Sequence, residues 1–251
     1  MRNSIAFGDL HTLAECPKAY QFRSAGTPRV APHIAEVTGD ITHAALAVLP
    51  ESRKAIIETA LSRLPEKDRP EVSRAVQAMV RAGDAMDEGD LDKENKIRYL
   101  DPMTGWQLVA KPDQMGMVNE GGRPIFQIVD VKTGGHLKRK HKKQIFFFGL
   151  VACLSMPDYR GPIKLVVRLL GENQDVVFWF SRARLDESLA AVRQAIRQIE
   201  TARAERNFPA RVGWACGSCC FRERCTAYQS QTADKTAACN GGTNPPATAI
   251  A

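Results

Sequence analysis

The sequence predicts an α/β sandwich built around a mixed sheet. Three observations point to it: helical periodicity at both ends, short β-rich segments in the middle, and one strongly apolar helical stretch that leads into two more strands. That order of helices, strand meander, helix, two strands and a last helix calls for helices layered on a sheet. With 251 residues, 44% of them hydrophobic, the chain is long enough for one sizeable core and short for two.

Residues 7–23 place Phe7, Leu10, Leu13 and Tyr20 at helical spacing, and Pro17 kinks this segment or opens a second turn. A helix is expected from Thr38, a capping residue, to Leu49, where Pro50 stops it. Helices follow over 51–64 and 71–88, the latter with Val72, Ala75, Val76, Met79 and Val80 on one face. Lys96–Leu100, Gly105–Ala110, Gln114–Val118 and Ile125–Lys132 read as strands separated by Gly, Pro and Asn turns. A helix over 141–156 and strands over 163–170 and 175–181 come next. Leu185, Leu189, Val192, Ile196 and Ile199 then form the stripe of a long helix. Residues 229–251 are small and polar and are expected to be a disordered tail.

A formal charge of +7 suits a polyanionic partner, although a well-solvated basic surface explains it equally well. No long apolar run follows the first residues, so no signal peptide is expected. The most apolar stretch, Ile145 to Leu154, is too short to span a bilayer and reads as a buried helix. Seven unevenly spaced cysteines then argue for metal or redox work in a reducing compartment, the cytoplasm.

The candidate chemistry lies in the middle of the chain. Magnesium is held by one or two carboxylates together with water and substrate phosphate, and Asp113 and Asp130 can supply such a pair. Adjacent strands of a meander bring Asp113, in the turn after one strand, towards Asp130 near the end of another. Lys132, two residues on, shares a strand face with Asp130, where an ammonium can orient water and stabilise charge on a phosphate. His43 adds a nitrogen donor, better matched to manganese. Each signal alone is weak: a D-x-K triplet arises by chance, a lone helical His is more often structural, and Asp113 after Pro112 is an ordinary turn former. Order and context lift the set.

Cysteines mark both ends. Cys216, Cys219 and Cys225 read C-x2-C-x5-C, and Cys16 stands about 200 positions earlier. The last three alone are ambiguous between zinc, a cluster and buried thiols; with Cys16 they make a clamp across a long loop. Cys220 is an alternative to Cys219, Cys153 sits in the apolar helix as a core residue, and Cys239 has no visible role. The basic run Lys138, Arg139, Lys140, Lys142 and Lys143 opposes the dipole of the helix it starts, which favours phosphate binding over a merely solvated face. Phe208 and Trp214 are expected to pack over the cysteines rather than stack on bases.

Several motifs together carry a resemblance: Cys16-Pro17-x-x-Tyr20, Gly39-x-x-x-His43, Lys111-Pro112-Asp113, Ile128-Val129-Asp130-Val131-Lys132-Thr133-Gly134, Gln144-x-x-x-Phe148 and the C-terminal cysteines. The chain resembles the RecB-like branch of the PD-(D/E)xK nucleases, specifically its iron–sulfur exonucleases, which include the CRISPR-associated spacer-acquisition nuclease. The resemblance implies a restriction-endonuclease-like core over residues 1–228 as a single nuclease domain, with 44–92 as a helical insertion and 208–226 as the cysteine segment. It implies that His43, Asp113, Asp130 and the Val131 carbonyl hold Mg2+ or Mn2+, that Lys132 positions the attacking water, and that Gln144 orients Lys132 or the phosphate. It favours a [4Fe–4S] cluster on Cys16, Cys216, Cys219 and Cys225, with zinc as the alternative. Two departures stand out: Ala110 where the family usually has Gly, and Phe148 where it usually has Tyr.

The expected function is a metal-dependent DNA exonuclease on single-stranded ends, in DNA repair, recombination or CRISPR-type processing, with repair or recombination proteins as partners and no membrane. The alternative is a nucleic-acid-binding iron–sulfur subunit with little activity of its own. A redox protein is a third class, for which the sequence offers no cofactor partner.

Overall fold

The computed structural model describes residues 3–29, 34–86, 91–93 and 96–231. The expected tail from 232 onward, with Cys239, and the end of the expected 71–88 helix lie outside the described residues, whereas 226–231 are helical. Contacts divide the chain into two compact units, Met1–His11 with Pro32–Thr201 and Thr12–Ala31 with Ala202–Ala251.

Among the described residues, the first unit contains two sheets. Strands β1 (Ser4–Ala6), β3 (Ile97–Leu100) and β4 (Gln107–Ala110) form one, in the order β1-β4-β3, with β1 parallel to β4. The other runs β2 (Asp92–Lys93), β5 (Gln114–Glu120), β6 (Arg123–Lys132), β7 (Ile163–Leu169) and β8 (Gln174–Phe180). Only the β6–β7 pair is parallel in this mixed sheet. The expected continuous meander is therefore corrected: it breaks at Lys111-Pro112, and β4 pairs with β1 and β3 instead of β5. Pro112 has no N–H to donate to a ladder, so the chain changes sheets there. β5 and β6 close through Gly121 and Gly122, at φ 60° and 79°. Two successive positive φ values suit the tight hairpin turns that match strand twist, and glycine adopts them without a Cβ penalty.

Helix α6 (Arg139–Ser155) carries the chain from β6 to its parallel neighbour β7. It packs on β6, β7 and β8 of one sheet and on β3 and β4 of the other. A helix flanked on both sides must be apolar around most of its circumference, which explains the Ile145–Leu154 run. At Gly149 the fit leaves no room: an added Cβ would lie 2.8 Å from Phe180 Cδ2 and 3.1 Å from Leu165 Cδ2. On the opposite face of the five-stranded sheet, Val129, Val131 and Val166 pack with Leu46 of α3 (Ile34–Leu46) and Met79 and Ala82 of α5 (Arg69–Ala85). Helix α4 (Pro50–Ser62) joins these two along the chain and packs on both.

Thr38 does not cap α3, contrary to the sequence reading. Its hydroxyl donates to the Ile34 carbonyl at 2.9 Å, the back-bonding of a threonine inside a helix. The long helix α7 (Leu185–Ala204) buries Leu189, Val192, Ile196 and Ile199 as its stripe predicts. Its Arg193 donates twice, at 2.9 and 2.6 Å, to the buried Asp101 carboxylate beyond β3. Among the described residues no helix is long and apolar enough to cross a membrane.

The second unit holds the end of α1 (Phe7–Glu15), α2 (Pro17–Ser24) and two short 3-10 turns, Trp214–Ser218 and Arg222–Arg224. Pro17 does open a new helix, as its fixed φ and missing N–H favour. Tyr20 packs at a tilt against Phe208 and Phe22 against Phe221, with centroids 6.1 and 5.6 Å apart.

Candidate active site

Register brings the two aspartates together. Gln114 pairs with Val129, and Asp113, the residue before β5, donates its N–H to the Val129 carbonyl at 3.1 Å, which sets it beside the stretch of β6 that carries Asp130. The Asp113 carboxylate is then held from two sides. Its Oδ2 accepts the Val131 N–H at 2.6 Å, and its Oδ1 lies 2.9 Å from His43 Nδ1. His43 arrives on the last turn of α3. One turn earlier, a Cβ added at Gly39 would meet Thr133 Oγ1 at 3.5 Å, so α3 runs beside the chain leaving β6. Asp130 and Lys132 share a face of β6, with Nζ 2.7 Å from Oδ2.

Burial sets the electrostatics. Asp130 is 2% exposed, and desolvation pushes its carboxyl up to about 6, against the pull of Lys132. Burial also opposes a charge on His43, but the hydrogen bond and charge of Asp113 together win and raise its imidazole above the ordinary value. Lys132 Nζ, 2.7 Å from Asp130 Oδ2, is the cation that faces this buried oxygen. Lys132 supplies positive charge to this carboxylate, and the oxygen donors of Asp113 and Asp130 next to an imidazole are a set that fits Mg2+ or Mn2+. Among the described residues, no three His, Cys, Asp or Glu side chains stand close enough to hold an ion by themselves, so water and phosphate would complete any shell.

His43, Asp113, Asp130, Val131 and Lys132 are thus brought together, while Gln144 is not joined to them. It is half-buried on the second turn of α6 and hydrogen-bonds to neither Lys132 nor the aspartates. Lys138, Arg139, Lys140, Lys142 and Lys143 are all exposed, with Lys142 Nζ 5.2 Å from the Phe178 ring centroid. Ala110 and Phe148, the two departures from the family pattern, are both buried.

Arg168 went unread in the sequence. It lines a cavity of about 20 Å³ with His43, Asp113, Gln114 and Val131, room for about one water. It is buried, and Asp175 holds its guanidinium through bonds of 3.0 and 2.9 Å. A charged residue inside the apolar strand Ile163–Leu169 was the available signal.

In the second unit, Cys16, Cys216, Cys219 and Cys225 line one pocket of about 220 Å³, and Cys220 lines it too. Backbone N–H groups of Arg211 and Gly213 donate to Cys16 Sγ and Cys216 Sγ, each at 3.4 Å. Burial pushes the Cys219 thiol up. An all-sulfur donor set suits a soft metal or a cluster, and loading would require the thiolates to converge further. Phe208 is buried against Tyr20, but Trp214 does not pack over the cysteines as expected: it is exposed.

A mixed sheet flanked by helices, with Asp130 and Lys132 at the end of its central strand and Asp113 beside them, is a restriction-endonuclease-like core. The sequence matches the PD-(D/E)XK nuclease superfamily over residues 4–226, and the chain belongs to that superfamily. The fold is shared with a protein from Eubacterium rectale named "Putative exonuclease", at TM-score 0.57 and 13% identity, covering 98% of this chain and 91% of that one. A second solved structure, SSO0001, covers 91% of this chain and 88% of its own at 14% identity, with a TM-score of 0.44. No curated protein matches the chain.

Proposed function

We propose that this nuclease is a divalent-metal-dependent deoxyribonuclease, an exonuclease acting on single-stranded DNA ends. The observation that carries the reading is Asp113 bonded to the β6 backbone on either side of Asp130, at Val129 and Val131, with Lys132 on the same face as Asp130. Asp113, Asp130, His43 and the Val131 carbonyl would hold Mg2+ or Mn2+, which supplies Lewis-acid charge to the scissile phosphate. Lys132 orients the attacking water and stabilises negative charge on the phosphate. His43 fixes the Asp113 carboxylate, and Gln144 approaches the phosphate from α6. The reading places the protein in the cytoplasm, in DNA repair, recombination or CRISPR-type processing alongside other proteins of those pathways. End-labelled single- and double-stranded DNA, incubated with Mg2+, Mn2+ or a chelator, tests it. Metal-dependent release of nucleotides from single-stranded ends is expected; intact DNA with both metals would overturn it.

The same reading includes a [4Fe–4S] cluster on Cys16, Cys216, Cys219 and Cys225, supported by their shared pocket and by the N–H donors at two of the sulfurs. Anaerobically purified protein is expected to be brown and to contain iron and sulfide. Cys16→Ala is expected to lose the colour and melt at a lower temperature, while Cys220→Ala keeps both. Colourless protein holding zinc would replace the cluster with a zinc site.

A further inference from the structure

The second unit carries a surface that the nuclease site does not use. Trp214 opens the 3-10 turn Trp214–Ser218 and is 91% exposed. Tryptophan is highly buried on average, and the neighbouring aromatics obey that rule: Phe208 and Phe221 are both buried against partners from α2. An indole left in water at one position has no packing role there. It offers two open π-faces.

The surroundings say what chemistry would cover it. Trp214 lines the pocket of about 220 Å³ together with Lys18, Arg23, Arg29, Arg211 and Arg222, against a single acidic side chain, Glu15. Two of the arginines are anchored: Arg211 donates to the Ala14 carbonyl at 2.6 Å and Arg222 to the Gly217 carbonyl at 2.7 Å. An aromatic platform amid cations is the pattern that binds single-stranded nucleic acid, bases stacking on the ring and phosphates following the positive charge.

Resting on the nuclease reading, we propose that the rim of this pocket, outside the cysteines, is a docking site for single-stranded DNA, with one base stacked on Trp214. A duplex is a poor occupant, because its interior bases already stack on each other and present no open face. The pocket lies wholly within the second unit, so the docking contact is separable by mutation from the carboxylates and lysine of the first.

Fluorescence anisotropy of a labelled twelve-nucleotide thymidine strand, and of a blunt duplex, tests this on the full chain purified anaerobically, with chelator present so that nothing is cut. Trp214→Ala is expected to weaken single-strand binding about tenfold, towards the lower end of what one base–aromatic stack supplies. Duplex binding should change little, and Trp214→Phe should retain most of the single-strand affinity because its ring still stacks. Unchanged single-strand affinity in Trp214→Ala overturns the proposal, as does an equal loss on the duplex. A parallel cleavage assay separates the two readings. Wild-type protein that cuts DNA while Trp214→Ala binds normally sinks the docking site alone; a Trp214-dependent affinity in protein that never cuts sinks the nuclease.

Discussion

Lys132 neutralises a carboxylate that is almost wholly out of water, and in the proposed reaction the same ammonium acts on water and phosphate. These roles have different signatures. Removing one member of a buried pair strands the other charge and costs about 3 kcal/mol or more. Lys132→Ala is therefore expected to lower stability by about 3 kcal/mol in urea denaturation, and to slow cleavage at least about 100-fold. Adding Asp130→Asn to that variant removes the stranded charge, so most of the stability should return while activity stays lost. A Lys132→Ala protein as stable and active as wild type would remove the lysine from the site. The D-x-K spacing made this pair legible, because strand alternation fixes which side chains share a face. Arg168 was not legible in the same way: only the paired strands show that it reaches the cavity beside His43 and Asp113.

Helix α6 shows what a sequence pattern reveals about an element and what it hides. Its apolar run announced burial correctly, since both sheets cover it. Its start carries five exposed cations, Lys138, Arg139, Lys140, Lys142 and Lys143, yet His141 among them is not one more cation. It is buried, and its Nδ1 accepts the Lys138 N–H at 3.2 Å, capping the helix as a neutral ring. Burial, with Lys132, Lys140 and Lys138 adding repulsion, drives its pKa down to about 4, and the positive helix N-terminus acts in the same sense. The unfolded chain, with an ordinary histidine near 6.5, takes up the proton first as pH falls. The contribution of His141 to stability is thus complete above about pH 6.5 and is lost as pH drops towards about 4. His141→Asn keeps a capping side chain without the titration. Melting curves across that window should show wild type falling more steeply than the variant; parallel curves would mean that His141 is already charged in the folded protein.

Across the whole molecule, sequence periodicity located most of the helices and strands but not their division into sheets. The meander pattern is local, whereas β1 joins β4 across about a hundred residues and Pro112 diverts the chain between sheets, choices made by long-range pairing. The basic run bears on the whole molecule too, since it is a contiguous focus of the +7 charge and the fold leaves its five cations exposed. Lys138, Arg139, Lys140, Lys142 and Lys143 are all exposed at the start of α6, directly after the strand that carries Asp130 and Lys132. Lys142 already lies over the Phe178 ring, so the other four are the stronger candidates for phosphate contact. Each phosphate of a single strand that is no longer neutralised lowers the log–log salt slope by about 0.7, which sets a ceiling of about 2.8 for the four side chains together. Their combined replacement by Gln should weaken DNA binding and flatten its salt dependence by up to that amount, whereas Lys142→Gln alone should change it less. The weakening should be similar for unrelated sequences, because phosphate contacts carry no base information. An unchanged slope in the fourfold variant would place the DNA path elsewhere on the surface and leave the run as a solvated helix start.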